Sequence, residues 1–578
     1  MIASDRTLDK RRDKPAAGAL TWRPGEEVVM HLIRIATASF ALALVLSSCA
    51  EPPPPPATPA PSPATVETFV TGGRIDGANG IAVGPDGRLY VASVVSPGIF
   101  VLDAKDGHLV ERLGPDEGAR NPDDVAFGPD GTLCWTDILD GNVLCRPPGG
   151  ETLVAGRPGP GVNPITFGPD GRLFVAQCFY GTGLFEVDPT GTGAPRLIRD
   201  DLGPGCGLNG MDWGPDGKLY GPRWFRGEVV KVDVDSGEYE TVTSGFGTPA
   251  AVKFDAQGRL HVLDTLAGQV VRVDGDTHTV VARLTPGLDN FDFGPDDRLY
   301  VSSFVDGFVA AVDGLDAVRT LSPGGVSMPG GVAVVGDTLY VADLFSLRRY
   351  DLTTAAEGAI VRDVIGFSDL GTVMSAHADA DRLVLSSWND RSIRIWDPAS
   401  DTRTALFENR GRPIDALRFA DEIVYTDFDT GAVVSFRPEA ADSTTTRFQS
   451  GGVPAGLAVD GGALYVGEHA GGRLLKLAEH GRWLATPDVV AQGLQGPEGI
   501  LVRDGTVFVV EAPTGSLATV RLADRIVRRI ANGLATGSPP QADVPSTLVF
   551  SGIAADAAGR LYVGGERDNL IHRIVPGG

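Results

Sequence analysis

Asn79-Gly80-Ile81-Ala82-Val83-Gly84-Pro85-Asp86-Gly87-Arg88-Leu89-Tyr90-Val91 is an apolar run, a turn and a second apolar run, and the chain keeps returning to it. The turn recurs as Gly128-Pro129-Asp130-Gly131, Gly168-Pro169-Asp170-Gly171 and Gly214-Pro215-Asp216-Gly217. Proline presets one backbone angle of the reversal, and glycine supplies its positive φ. The apolar residue that opens the second run stands at Leu89, Leu133, Leu173, Leu219, Leu260, Leu299, Leu339, Leu383, Ile423, Leu464, Val507 and Leu561. A fixed period of about 40 residues marks a repeat architecture. Each unit reads as four short strands, the last two forming a hairpin such as Ile99–Asp103 with Leu109–Leu113. Helical periodicity is nearly absent. The unit is therefore a propeller blade, and the chain is all-β.

Twelve blades exceed the usual 4–8 or so of one ring. The expected partition is two tandem six-bladed propellers, over residues 65–325 and 326–578. The turns change character between the halves, from Gly-Pro-Asp-Gly to shorter forms such as Val335-Gly336-Asp337 and Asp460-Gly461-Gly462. The last copy stops after three strands. Thr65–Val70 supplies a spare strand that closes a ring and hides an edge. It closes either the second ring directly, which the short Gly314-Leu315-Asp316 turn favours, or the first, with Val318–Leu321 passed onward.

Ahead of the repeats, Ile35–Leu46 suits the apolar region of an export signal, and Leu46-Ser47-Ser48-Cys49 resembles a bacterial lipobox. Residues 30–48 then read as the signal, Cys49 as the lipidated residue that binds the membrane, and 49–64 as a Pro-rich spacer. Glu26-Glu27-Val28 can be encoded by a ribosome-binding sequence just upstream of Met30. Residues 1–29 read as an extension ahead of the natural start. The expected location is the extracytoplasmic face of a bacterial envelope. A formal charge of −24 argues against nucleic acid as a partner.

Four further cysteines remain. Cys178 and Cys206 lie in loops expected on one face, which fits a disulfide in an oxidising compartment. Two free thiols is the competing reading. Cys134 and Cys145 read as diagonal neighbours on adjacent strands, a poor register for a bridge.

The residue just before each innermost strand points at the channel. Counting eight back from the turn glycine gives Asn79, Asp123, Asn163, Asn209, Ala250 and Asp289. Oxygen donors converging on one ring suit Ca²⁺ or Mg²⁺, with Asp124 and Asn290 as further members of the shell. The same residue types also finish loops by local side-chain turns. In the second half the count gives the sparser Gly330, Val373, Asp415, Ala455, Glu498 and Ser551. Asp137, Asp264, Asp343, Asp427, Glu468 and Glu511, each after a second strand, read as structural. His469 beside Glu468 reads as a surface pair. Around the first mouth stand Gln177, Phe179, Tyr180, Arg223, Trp224, Phe225 and Phe304. HExxH, P-loop, GxSxG and CxxC motifs are absent from the sequence.

The repeat resembles the NHL type and its SMP-30/gluconolactonase-like relatives over residues 66–578. The resemblance implies six-bladed rings and a divalent cation, commonly Ca²⁺, at a channel mouth. It also implies lactone opening by Glu, Asn and Asp ligands with an Asp base. Asn209-Gly210-Met211-Asp212-Trp213 resembles the family's Asn-Gly ligand segment, and Asp289 the type of position its Asp holds. Asn79 stands where the family has Glu, and Ala250 fills the slot of its Asp, with Asp289 one blade later. Two functional expectations follow. The first is a membrane-anchored propeller that binds a protein, a glycan or a small molecule. The alternative is a metal-dependent hydrolase. In the hydrolase, Asn79, Asp123, Asn163, Asn209 and Asp289 hold the cation, Asp289 or Asp123 activates water, and Arg223 orients an anionic substrate.

Overall fold

The computed structural model describes residues 64–364, 368–537 and 549–577. Cys49 and the segments assigned to the extension, signal and spacer up to residue 63 lie outside them. Twelve four-stranded antiparallel sheets make up the molecule, as two six-bladed propellers. Blades 1–6 form ring one, and blades 7–12 form ring two.

The repeat's turn explains each blade's first hairpin. In blade 1, Ile81–Val83 pairs with Leu89–Ser93. The Gly84 amide donates to Arg88 O (2.8 Å) and the Gly87 amide to Gly84 O (2.9 Å), with Gly87 at φ 77°. The Asp86 carboxylate accepts the Arg88 amide at 3.1 Å. Ring two reaches the same reversal with two residues. Val335 pairs with Thr338, Asp379 with Arg382 and Phe419 with Glu422, around positive-φ Gly336, Ala380 and Ala420. Such two-residue loops match the natural strand twist.

Hydrophobic seams between adjacent blades close both circles. Blade 6 residues Tyr300, Val309 and Ala311 pack on Ile81, Leu89 and Val91 of blade 1. Blade 12 residues Ala554, Tyr562 and Ile571 pack on Val332, Leu339 and Val341 of blade 7. Thr65–Thr71 lies antiparallel to Leu570–Val575, with Thr65 opposite Val575. The amino-terminal strand thus completes ring two directly, while Ala317–Ser322 stays in blade 6. Residues 65–71 therefore belong to the last sheet, not to the first ring in which the sequence boundary at 65 counts them, because residues 553–575 alone leave that blade one strand short.

The chain crosses between rings twice, at Gly72-Gly73 and Pro323-Gly324-Gly325. The two passes touch, and the Gly73 amide donates to Val326 O (3.3 Å). An ion network ties the rings beside them. Asp306 of blade 6 accepts from Arg348 Nη2 (3.0 Å) and Arg362 Nε (3.0 Å) of blade 7. Arg348 also holds Asp343 at 2.6 Å. Asn569 of blade 12 donates to Asp76, which also accepts Ser96 Oγ at 2.5 Å.

Both cysteine pairs are bridged. Cys178 and Cys206 join two loops with Cα atoms 3.8 Å apart. Cys134 and Cys145 are bonded as well, Cα atoms 4.1 Å apart. The diagonal register expected for them is corrected here: they stand directly opposite each other in blade 2. In a close cross-strand pair of that kind the side chains are near enough to bridge.

Candidate functional site

Each innermost strand of ring one enters the channel from the same end, so equivalent residues form tiers around it. The upper tier is Asn79, Asp123, Asn163, Asn209, Ala250 and Asp289, each one step before its blade's next channel position. Neighbouring members meet: Asn79 Nδ2 donates to Asp123 Oδ2 at 3.0 Å across the blade 1–2 boundary. Asp289 stands close enough to raise the Asp123 pKa by charge repulsion. Burial is the larger cause there and holds Asp123 well above the usual carboxylate range; Asp124 adds to the shift and the Asn79 bond opposes it. Asp289 is pushed up to about 8 by burial first, then by Asp124. Asn209 is partly committed to its own turn, Oδ1 accepting the Gly210 amide at 3.0 Å. Asn163 is 9% exposed, and its backbone carbonyl accepts the Thr136 hydroxyl at 2.6 Å.

Asp124 and Asn290 do not add open ligands. Asp124 Oδ1 accepts the Val125 amide (2.9 Å) and Asn290 Nδ2 (3.2 Å), and Oδ2 accepts the Ile165 amide (3.2 Å). This carboxylate ties blade 2 to blades 3 and 6, so it is a brace. Burial raises its pKa to about 6, against the opposing charge of Lys253.

A lower tier, unnoticed in the sequence, lies three residues along the same strands at Asp212, Lys253 and Asp292. Asp212 accepts the Phe254 amide of blade 5, and Asp292 the Val83 amide of blade 1, both at 2.8 Å. Burial alone would lower the Lys253 pKa, but Asp292, Asp212 and Asp124 outweigh it and hold it up. The signal for this tier was a charged residue three places after Asn209, Ala250 and Asp289.

Arg223 is fully engaged elsewhere. Its Nε donates to Leu202 O (2.8 Å), Nη2 to Gly203 O (2.8 Å) and Nη1 to Glu228 (2.9 Å). It is a loop brace, because burial demands partners for every face of its fork. Trp224 is buried. Phe179, Tyr180 and Phe225 are exposed, and Phe304 packs at a tilt against Phe345 of ring two, ring centroids 5.2 Å apart. The acids after second strands hold inter-blade loops: Asp264 accepts the Gly247 amide (2.8 Å), Asp427 that of Arg412 (2.8 Å) and Glu511 that of Gln495 (2.8 Å).

The strand pairing of ring two gives its upper tier as Gly330, Met374, Ile414, Ala455, Glu498 and Ser551. Val373 and Asp415 each fall one place off, because the shorter turns there change the count. Asp415 instead sits at the Asp124 position and accepts the Leu457 amide at 2.8 Å. It also holds His377 Nε2 at 2.9 Å. His469 is not a surface residue. It is largely buried, 3.6 Å from Glu498, and burial lowers its pKa. Glu498 accepts the Ser551 amide (2.8 Å) and is pushed up to about 8 by burial and then by Glu566.

One exposed group of acidic and imidazole side chains, Asp103, Asp106 and His108, brings its ligand atoms within 4.8 Å and could hold a metal ion. The same atoms close the outer hairpin of blade 1: Asp103 accepts the Lys105 amide at 2.8 Å, and Asp106 holds His108 Nδ1 at 2.7 Å.

No family model and no curated protein matches the chain. Solved β-propeller structures do. Virginiamycin B lyase from Staphylococcus aureus is 14% identical with TM-score 0.34, covering 48% of this chain and 96% of that one. A gluconolactonase-like protein is 18% identical with TM-score 0.36, over 46% and 95%. The extracellular domain of a hybrid two component system from B. thetaiotaomicron is 12% identical with TM-score 0.33, over 89% and 83%.

Proposed function

We propose that this is a lipid-anchored, extracytoplasmic binding protein whose ligand seat is the mouth of ring one. One observation carries the reading. Oxygen-bearing side chains from separate blades meet at one tier: Asn79 Nδ2 donates to Asp123 Oδ2 at 3.0 Å, and Asp289 lies near enough to repel the Asp123 carboxylate. Carboxylates crowded in a buried ring are stabilised by a ligand that brings positive charge or hydrogen-bond donors, which favours a ligand here. Two disulfides suit an oxidising compartment, in keeping with the lipobox reading of Cys49.

A metal-dependent hydrolase is the second reading, and the donor set bears on it. The upper tier offers oxygen atoms only, as Ca²⁺ or Mg²⁺ requires. Asp123 and Asp289 would supply charge, with carboxamide oxygens of Asn79, Asn163 and Asn209 completing the shell. The cation would polarise a substrate carbonyl, and Asp289 would take the proton of water. The engagement of Arg223 removes the expected anchor for an anionic substrate.

Thermal unfolding of the purified protein with and without millimolar CaCl₂ tests both. A calcium-dependent rise that Asp289→Ala and Asn209→Ala abolish supports a seat at this mouth, and lactone hydrolysis lost in the same variants supports the second reading. A rise that survives both substitutions removes ring one's mouth as the seat.

A further inference from the structure

Ring two leaves few large apolar side chains in solvent. Among the described residues they are Val459, Ile526 and Val575, at 39%, 42% and 40% exposed. Two of these three mark one groove: Ile526 lines it, and Val575 adjoins Pro576, which lines it too. The groove lies at the end of blade 11 that carries its hairpin turns. Phe508, Thr519 and Arg528 stand side by side there across three strands, and Thr506 opposite Arg521 makes the next row. Ile530 completes the lining.

The described chain begins at this groove. The Ala64 amide donates to Ile530 O at 3.1 Å, and Thr65 lies opposite Val575. Ala64, Val66, Phe508 and Ile530 all pack against one hydrophobic cluster. Thr65–Thr71 is the outermost strand of blade 12, and Val527–Asn532 that of blade 11. Successive blades repeat one strand order, so the two strands run the same way. Traced back from Ala64, an extended chain therefore advances along the groove, two residues against two. Ser62 falls level with Arg528, and Ala60 with Ile526.

The sequence ahead of Ala64 suits that path. Prolines alternate at positions 59, 61 and 63. Proline fixes its own φ and holds the residue before it extended, which lowers the ordering cost of docking. A strand tolerates proline where the missing N–H faces solvent. Alternation puts all three on that side and leaves the Ala60 and Ser62 amides on the side of Ala64, which already donates to blade 11.

We propose that residues 59–63 seat in this groove as the lead-in to Thr65–Thr71, covering Ile526 and Phe508. The seating is independent of what the ring-one mouth binds. With Cys49 as the lipid anchor, it leaves residues 49–58 as the free tether, about 30 Å at full extension in place of about 45 Å. It also holds the turn end of blades 11 and 12 towards the membrane.

Photo-crosslinking of the purified full chain tests it, with p-benzoylphenylalanine in place of the exposed Arg528. Fragmentation of the peptide that ends at Arg74 locates the new bond. Attachment should fall within residues 59–63 and stay within one chain. Two changes should each abolish it while circular dichroism keeps the parent's strand content. One is Ile526→Asp, at an exposed position; the other combines Pro59→Gly, Pro61→Gly and Pro63→Gly, outside the sheets. Attachment confined to Thr65–Thr71, or to no part of the protein, overturns the seating. So does a bond within residues 59–63 that neither change reduces. A doubled mass on a denaturing gel overturns it in favour of a second copy in the groove.

Discussion

The two rings share a blade plan and differ in what fills them. Ring one gathers acids, carboxamides and one lysine along its channel. Ring two places Gly330, Met374, Ile414 and Ala455 at the corresponding mouth, and its polar members Glu498 and Ser551 bond to each other. Ring one carries both disulfides. Ring two depends on a strand brought from the other end of the chain. One repeat thus yields a polar, cross-linked ring and a more apolar ring closed by long-range pairing, and the division of labour should show in how each ring fails.

Removing Thr65–Thr71 should do the most damage. Phe69 would leave a buried seam with Tyr562, Val332 and Ile571, and blade 12 would expose a free edge. Phe69→Ala alone should cost about 3–5 kcal/mol. Calorimetry should show ring two melting earlier while ring one keeps its own transition. A uniform drop would show that the rings unfold as one body.

Reduction is the converse probe. Breaking the two bridges, which span 11 and 28 residues of sequence, should cost roughly 2–4 kcal/mol each. Only the ring-one transition should fall. Hydrogen exchange with and without reductant would locate the loss.

The inter-ring seam gives a pH test. Burial pushes Asp76 up to about 7, above its ordinary 3.8, against hydrogen bonds from Ser96 and Asn569. The folded state therefore holds the proton more tightly than the unfolded state. The stability this supplies is complete below about pH 4 and is lost as pH rises towards 7. Asp76→Asn should flatten that part of the melting-temperature profile. An unchanged slope would move the effect to other buried acids.

The smallest expected effect concerns the tight turns of ring two. Ala420 sits at φ 53°, where a Cβ is strained. Ala420→Gly should stabilise by about 1 kcal/mol, read from denaturant midpoints. No gain would mean that the turn relaxes locally.

Much of this was legible in the repeat. The positions of Leu89 to Leu561 located all twelve second strands, because an apolar residue after a turn is dictated by local chemistry. The upper tier of ring one could be counted because its turns keep nearly one length. In ring two, Val373 and Asp415 slipped by a place where turns shortened. Arg223 and His469 misled for another reason: a polar residue looks alike in sequence whether it faces ligand or supports a loop. The Cys134–Cys145 pairing required a register finer than strand boundaries supply. Asp212, Lys253 and Asp292 were hidden because a channel-facing polar residue resembles ordinary strand alternation.

The pairing of Thr65–Thr71 with Leu570–Val575 also sets an order in time. Glu67 and Arg573, which meet across it, are 506 residues apart. Thr65–Thr71 must wait for Leu570–Val575. During synthesis ring one can be complete before blade 12 exists, while an unsatisfied strand trails from its start. Folding of the second ring is thereby gated by the arrival of Leu570–Val575, and a chain halted before them keeps an open edge that invites a neighbour.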